Sequence, residues 1–268
     1  MGSTTSFAER YQSVLVPVIF EPWARELIGR VKPQAGDHIL DLACGTGVVT
    51  RQLADLGAKF GSITGADHNA DMLGVARALA SSADFDANWV EADAANLPFS
   101  NNQFDLVFCQ QALQFFPDRP AALRELRRVL RPEGRAVFCV QRELDVNPML
   151  KAQAEALDAH VGEAAGDAVR AICGLPDGDE LRVLFEDAGF SDVEVESVTL
   201  DLYHLDAKAF AAGAMGGMHT GDKLSGLAED SIDRAVDTFL LGLDECLDGP
   251  AMRFPHTSNV VLARGSAE

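Results

Sequence analysis

The sequence lacks any long uninterrupted apolar run. No stretch of its 268 residues reaches the roughly 20 consecutive apolar residues that a membrane span requires. The N-terminus also lacks the charged-then-apolar order of a secretory signal. We therefore expect a chain that makes no membrane contact and works in the cytoplasm.

Basic residues are scarce. The chain has 22 Lys and Arg against 41 Asp and Glu, which gives a formal net charge of -19. Such a surface repels phosphate backbones, and no stripe of basic residues is present to neutralise one. We expect a small molecule as the partner and not nucleic acid, while a monomer and a homodimer both stay open.

Paired cysteines are absent too. The five cysteines are an odd number, widely spaced and without a C-x-x-C pair, so neither a disulfide framework nor a zinc site is indicated and no metal is expected. Cys109 and Cys139 lie in apolar runs, where a cysteine is usually a small core residue.

Strand-like and helix-like patterns alternate through the first half of the chain. The apolar runs are 38–43, 62–67, 88–92, 104–109 and 136–141, with helical candidates at 48–56, 70–80 and 121–130. This rhythm predicts an α/β fold with a parallel sheet covered by helices on both faces. The run Arg131-Pro132-Glu133-Gly134 predicts a stop between the last helix and its following strand.

A glycine-rich turn at residues 39–47, ILDLACGTG, carries the strongest signal. An apolar strand runs into the turn, and a helix follows near Val48. Glycines there let the backbone approach a ligand, and the helix N-terminus offers unpaired N–H groups. Any nucleotide-binding α/β protein can carry such a turn.

Acidic residues at the next two strand ends narrow the choice of ligand. Asp67 follows the glycines by about twenty residues, where a carboxylate can accept both ribose hydroxyls. Because Asn69 and Asp71 come next, it can equally be a helix N-terminal acid. Asp93 ends the third strand, where a carboxylate can accept the adenine amino group, although a loop acid is the plainer interpretation. Three ligand-like features at successive strand ends favour an adenosine ligand.

At this point the chain resembles a known family. The segments ILDLACGTG, ITGADHNADML, EADAANLPF, FDLVFCQQALQFFPD and ELRRVLRPEGRAV resemble consecutive motifs of class I S-adenosylmethionine-dependent methyltransferases, most like the small-molecule, ubiquinone- and menaquinone-biosynthesis (type 11) branch. They span residues 38–141, and the tail matches more loosely. The resemblance implies a Rossmann-like, seven-stranded, mostly parallel sheet with an antiparallel last strand, helical cap insertions and S-adenosylmethionine as cofactor.

The resemblance also implies a set of cofactor-binding residues. Asp41, Ala43 and Gly45 would line the methionine portion, and Cys44 in the same turn is also counted as cofactor-binding. His68 and Met72 would flank the adenine, and Asp93 and Ala94 would read its edge. Asp67 would bind the ribose, Gln110 would lie beside the methionine and sulfonium, and Tyr11 would fold over the cofactor. Ala43 departs from the family's D-x-G-x-G-x-G by replacing the first glycine, and its small side chain costs little space.

A nicotinamide-dependent oxidoreductase shares the layout but fits less well. A dinucleotide loop needs G-x-G-x-x-G, and Thr50 stands at the third glycine position. Asp41 would repel a pyrophosphate, whereas it suits the ammonium group of the methyl donor. A non-catalytic methyltransferase-like subunit stays open, because it could retain every cofactor residue.

Methyl transfer by in-line displacement depends mainly on proximity, so no fixed catalytic residue is expected. His204, His219 and His256 are weak candidates for a general base, since each is more commonly a surface or core-edge histidine.

We expect one methyltransferase domain with an N-terminal helical segment 1–34, a cofactor-binding core 35–142, and helical insertions 143–176 and 203–250. The insertions are predicted to cover the site, with the glycine- and methionine-rich run 213–221 as either a lid or a flexible connection. In the lid interpretation, Met215 or Met218 faces the cavity.

Overall fold

The computed structural model describes residues 6–162, 164–217 and 229–266. The predictions for His219 and Met218 fall outside these residues. The chain divides into two compact units. The helical unit comprises Met1–Pro22, Gln141–Pro176 and Thr199–Ser258, and the sheet unit comprises Trp23–Val140, Asp177–Val198 and Asn259–Glu268. Among the described helices, none is both long and apolar enough to cross a membrane.

The strands form one mixed sheet. They are β1 His38–Leu42, β2 Ser62–Asp67, β3 Asn88–Glu91, β4 Phe104–Gln110, β5 Leu130–Gln141, β6 Phe190–His204, β7 Leu247–Asp248 and β8 Ala251–Gly265. The order is β3-β2-β1-β4-β5-β8-β6, with β1 to β5 parallel and the two-residue β7 antiparallel to β8. The predicted Rossmann-like sheet with an antiparallel C-terminal strand is confirmed, with β7 as an addition.

Ten α-helices occur in the described residues. They are α1 Phe7–Arg10, α2 Glu21–Val31, α3 Val48–Asp55, α4 Ala70–Ala83, α5 Arg119–Val129, α6 Pro148–His160, α7 Asp167–Arg170, α8 Gly178–Asp187, α9 Ala207–Gly217 and α10 Glu229–Leu241, with a π-helical segment Tyr11–Phe20 between α1 and α2. Asn69, Asp118 and Asp177 cap α4, α5 and α8 by accepting backbone N–H bonds of the first turn.

The predicted stop before β5 is wrong. Helix α5 ends at Val129 and the strand begins at Leu130, so residues 131–134 belong to β5. Phe104 pairs with Leu130 while Leu106 pairs with Arg135, which leaves the intervening residues of β5 as a bulge. Pro and Gly therefore mark an irregularity inside the strand and not a connection before it.

The helical unit contains residues 213–217 of the glycine-rich run, and residues 218–221 lie outside the described residues, so the lid stays a prediction. Residues 213–217 are helical and form the end of α9. A Cβ on Gly213 would approach Val14 of the π-helical segment within 2.7 Å, so this glycine permits close helix packing. Met215 is fully buried, and the buried Gln153 of α6 donates to the carbonyl of Ala214 over 3.0 Å. At position 213, glycine therefore serves helix packing.

Candidate cofactor site

The parallel register gathers the predicted residues at one edge of the sheet unit. Asp41 of β1 pairs with Gly65 of β2, and Asp67 of β2 pairs with Glu91 of β3. The carboxyl ends of β1, β2 and β3 therefore lie side by side. In an open α/β sheet, this is the edge at which ligands bind.

The turn after β1, residues Ala43–Gly47, which we call the glycine loop, has three residues in the left-handed backbone region. Ala43, Gly45 and Gly47 have φ of 54°, 55° and 78°. The N–H of Gly47 donates to the carbonyl of Cys44 over 2.8 Å, which closes the loop. The sequence prediction for Ala43 considered space alone, whereas a left-handed alanine also costs about 1 kcal/mol of backbone strain.

Asp67 connects the glycine loop to the start of α4. Its Oδ2 accepts the N–H of Gly45 and its Oδ1 accepts the N–H of Asn69, both over 2.8 Å. The side chain is buried, and the Nδ1 of the exposed His68 lies 3.5 Å from Oδ1. Asp67 therefore holds the glycine loop beside the start of α4, which is close to the prediction of a helix N-terminal acid. It also lies at the ligand-binding edge, where the ribose of a ligand would be expected.

Asp41 is turned toward α3. Its Oδ2 accepts both the N–H of Thr50, over 3.1 Å, and the Oγ1–H of Thr50, over 2.8 Å. Complete burial raises the pKa of the Asp41 carboxyl to about 7, and the bonds from Thr50 oppose that rise. Sequence reasoning noted Thr50 only as a missing glycine. The sequence feature that indicates this contact is the position of Thr50 in the first turn of α3, nine residues after Asp41.

The remaining predicted adenosine residues lie on the loops beside this edge. Met72 is buried in the first turn of α4, where its N–H donates to the Asn69 side chain. Asp93 is exposed and accepts the N–H of Ala95 over 2.9 Å, and Ala94 is half-buried. The loop-acid interpretation of Asp93 thus describes its contact within the chain.

The end of β4 brings Gln110 to the same sheet edge. Gln110 pairs with Cys139 of β5 and is buried. On the glycine loop, the buried Thr46 Oγ1 has no hydrogen-bond partner among the described residues. The buried Cys44 thiol has a pKa raised well above its usual value, so it is neutral.

Trp89 of β3 was missed by the sequence analysis. A Cβ on Gly47 or on Gly65 would lie 2.5 Å from the indole ring, so these two glycines give the ring its room. Gly47 is therefore needed for packing as well as for its backbone conformation. Trp89 lies two strands away from the glycine loop in the sheet, so only the register of the sheet shows that the two are in contact.

Other predicted residues lie in the helical unit. Tyr11 packs on Phe20 with ring centroids 4.8 Å apart. His204 shares a hydrogen bond through Nδ1 with the backbone of Asp206, and His256 is buried. The roles of Tyr11 and the histidines stay predictions.

A cavity of about 460 Å³ lies at the opposite end of the sheet unit. It opens where β2 and β3 begin, and its lining includes Phe60, Phe85, Lys59 and Asp86. None of the predicted cofactor residues lines it.

The residues at the carboxyl edge fit S-adenosylmethionine. A carboxylate oxygen has two lone pairs, so Asp67 can accept ribose hydroxyls in addition to its backbone bonds. The buried Thr46 hydroxyl, which has no partner among the described residues, is available to a polar group of a ligand, because a buried polar atom without a partner is uncommon in a folded chain.

Comparisons with known proteins show the family of this chain. A methyltransferase domain model matches residues 40–138. A demethylmenaquinone methyltransferase of Staphylococcus carnosus is 30% identical over 75% of this chain and 82% of its own. The corresponding Staphylococcus epidermidis enzyme is 28% identical over 81% and 90%. The structure of Haemonchus contortus phosphoethanolamine N-methyltransferase 2 superposes with a TM-score of 0.58 at 20% identity, covering 92% of this chain and 53% of that one, which shows a shared fold. The chain belongs to the class I S-adenosylmethionine-dependent methyltransferases of the small-molecule branch.

Proposed function

We propose that the protein methylates a small aromatic acceptor of the phenol or hydroquinone type. Donor binding is carried by one observation above all, the Asp67 carboxylate that joins the glycine loop to α4 at the ligand-binding edge. Two facts support the acceptor class. Relatives about 30% identical are named for demethylmenaquinone, and a net charge of -19 disfavours polyanionic acceptors.

The donor would be held by residues of the sheet unit. Asp67 would accept the ribose hydroxyls, while Met72 would contact the adenine and Asp93 would accept its amino group. The glycine loop and Gln110 would face the methionine portion. This assignment uses side chains at neighbouring strand ends and loops of one sheet edge.

When bound, the donor supplies a methyl group on a sulfonium, and transfer forms a bond from the acceptor's oxygen or ring carbon as the carbon–sulfur bond breaks. The chain's task is to hold the two partners in line, which can lower the barrier by roughly 7–11 kcal/mol at best. The acceptor's proton is released to water.

Neither His256 nor His204 acts as a base in this proposal. Burial lowers the pKa of His256 to about 3, so its imidazole binds a proton weakly at neutral pH. The Nδ1 of His204 lies within hydrogen-bonding distance of the Asp206 N–H, at 3.1 Å, and of the Asp206 carbonyl, at 2.7 Å.

Transfer of a labelled methyl group to a panel of acceptors tests the proposal. The panel holds a phenol, a naphthalenediol, RNA and phospholipid vesicles. We expect label in the phenol or the diol. Asp67→Asn should strongly reduce transfer at limiting donor, whereas Asp71→Asn, which alters an exposed acid in the first turn of α4, should not.

Two outcomes would contradict the proposed function. Label in RNA but not in the aromatic acceptors would refute the acceptor class. Donor binding without transfer to any acceptor would favour the non-catalytic subunit.

A further inference from the structure

The start of α3 has no side-chain cap of its own. Its N-cap residue is Gly47, which has no side chain to accept a bond from the first turn. The first N–H groups of a helix need such acceptors, and Ser, Thr, Asp or Asn usually supplies one. At α3 the acceptor comes instead from β1, on the other side of the glycine loop.

Asp41 supplies that acceptor. Its Oδ2 takes the N–H of Thr50, the third residue of the helix, over 3.1 Å and the Thr50 hydroxyl over 2.8 Å. Asp41 is 1% exposed and Thr50 is fully buried, so water does not compete for these bonds. Among the described residues, the titratable groups that interact electrostatically with this carboxyl are Asp67, Arg51 and the neutral thiols of Cys44 and Cys109.

The contact closes a ring around the glycine loop. Asp41 precedes Ala43 and Thr50 follows Gly47, so the Asp41–Thr50 contact fixes both ends of a loop with three left-handed residues. Such a conformation persists only where surrounding contacts determine it. Loss of one contact at the ends should therefore change how the loop meets a ligand.

We propose that Asp41 is a positioning residue, which shapes the glycine loop for the donor through Thr50 and does not bind the donor's ammonium group itself. The proposal rests on the proposed function only in taking the ligand at this edge to be the methyl donor. It assigns Thr50 a part in cofactor binding. It also replaces the expectation that Asp41 contacts the methionine portion.

Two probes distinguish positioning from direct contact. S-adenosylhomocysteine carries the amino-acid end, and 5′-methylthioadenosine has the same nucleoside and thioether without it. If Asp41 acts on the loop, loss of its contact with the Thr50 hydroxyl should weaken both probes equally. If it binds the ammonium group, loss of its charge should weaken S-adenosylhomocysteine alone.

Isothermal titration of both probes should compare the parent protein with Thr50→Val, Thr50→Ser, Asp41→Asn and the control Thr64→Val. Valine keeps the shape of threonine and removes the hydroxyl. We expect Thr50→Val to weaken both probes by a similar factor, about tenfold for a lost buried hydrogen bond. Asp41→Asn should stay within about twofold of the parent for both probes, because its amide oxygen can accept both bonds from Thr50 while the charge that would bind an ammonium group is gone. Serine at position 50 should stay within about twofold of the parent, because it retains the hydroxyl. Thr64 is a buried threonine of β2, and its replacement should change neither affinity.

Three results would overturn the proposal. Weakening confined to S-adenosylhomocysteine would make Asp41 a direct ligand. Parental affinity of Thr50→Val for both probes would reduce the contact to fold stability. If the parent protein binds neither probe, the assignment of the methyl donor as the ligand fails. Amide hydrogen exchange then tests the positioning of the glycine loop without any ligand. The Gly45 and Gly47 amides should exchange faster in Thr50→Val than in Thr64→Val, and equal rates would refute positioning.

Discussion

Replacing the Asp41 carboxyl by an amide should remove a specific pH dependence of stability. Burial raises the pKa of Asp41 from 3.8 to about 7. Between these values the unfolded chain has lost the proton while the folded chain keeps it, so each pH unit lowers the free energy of unfolding by about 1.4 kcal/mol. The contribution is full below pH 3.8 and is lost by pH 7, a total of about 4 kcal/mol.

Urea unfolding of the parent and of Asp41→Asn at pH values from 4 to 8 measures this contribution. Asparagine keeps the size of the side chain and one oxygen that can accept the Thr50 N–H. Because both proteins share all other titrating groups, the difference in their unfolding free energies isolates Asp41. The parent should lose stability relative to Asp41→Asn as the pH rises from 4 to 7, and above pH 7 the difference should stay constant. A difference that stays constant over this range would show that Asp41 is ionised throughout, and the argument from burial would fail.

Three further changes test other contacts of the sheet unit. Asp67→Ala should weaken binding of S-adenosylmethionine by a few kcal/mol, since charge-assisted bonds are lost, and parental affinity in calorimetry would refute the ribose assignment. Ala43→Gly should raise the free energy of unfolding in urea by up to about 1 kcal/mol by relieving a φ of 54°, and a loss would show that the methyl group's packing outweighs its strain. Gly65→Ala should lower the same quantity by about 1–3 kcal/mol, because the new Cβ meets Trp89 at 2.5 Å. The matched Gly74→Ala, with open space around its Cβ in α4, should raise it by about 0.5–1 kcal/mol, and equal effects of the two would contradict the packing argument.

The first half of the fold could be predicted from periodicity. Apolar runs predicted the first four strands to within one residue at each end. For β1, β2 and β4 the reason is that a buried parallel strand is largely apolar on both faces, whereas the edge strand β3 is only partly buried. The failure at β5 has a physical cause. Arg131-Pro132-Glu133-Gly134 has the composition of a turn, and composition alone does not distinguish a turn from a bulge inside a strand.

The position of the candidate site could be predicted from the sequence, but the contacts of its residues could not. Motif order places Asp41, Asp67 and Asp93 at successive strand ends, and the parallel register brings these ends together. The partners of these acids depend on side-chain direction. Thr50 and Trp89 reach the glycine loop from a helix and from a strand two positions away in the sheet, and no local sequence pattern encodes those approaches.

The contacts of the glycine loop give a physical reason for a cationic ligand. A phosphate-binding loop directs its backbone N–H groups at the anion. Here the N–H of Gly45 is already held by Asp67, and the N–H of Thr50, in the first turn of the helix, is held by Asp41. A pyrophosphate would find fewer free donors and would meet at least one buried carboxylate. A sulfonium with an ammonium group is favoured by the same charges. Dinucleotides are therefore disfavoured because Asp67 and Asp41 already accept N–H groups that a pyrophosphate would need. Thr50, which stands in place of the third glycine, is the sequence feature that indicates this.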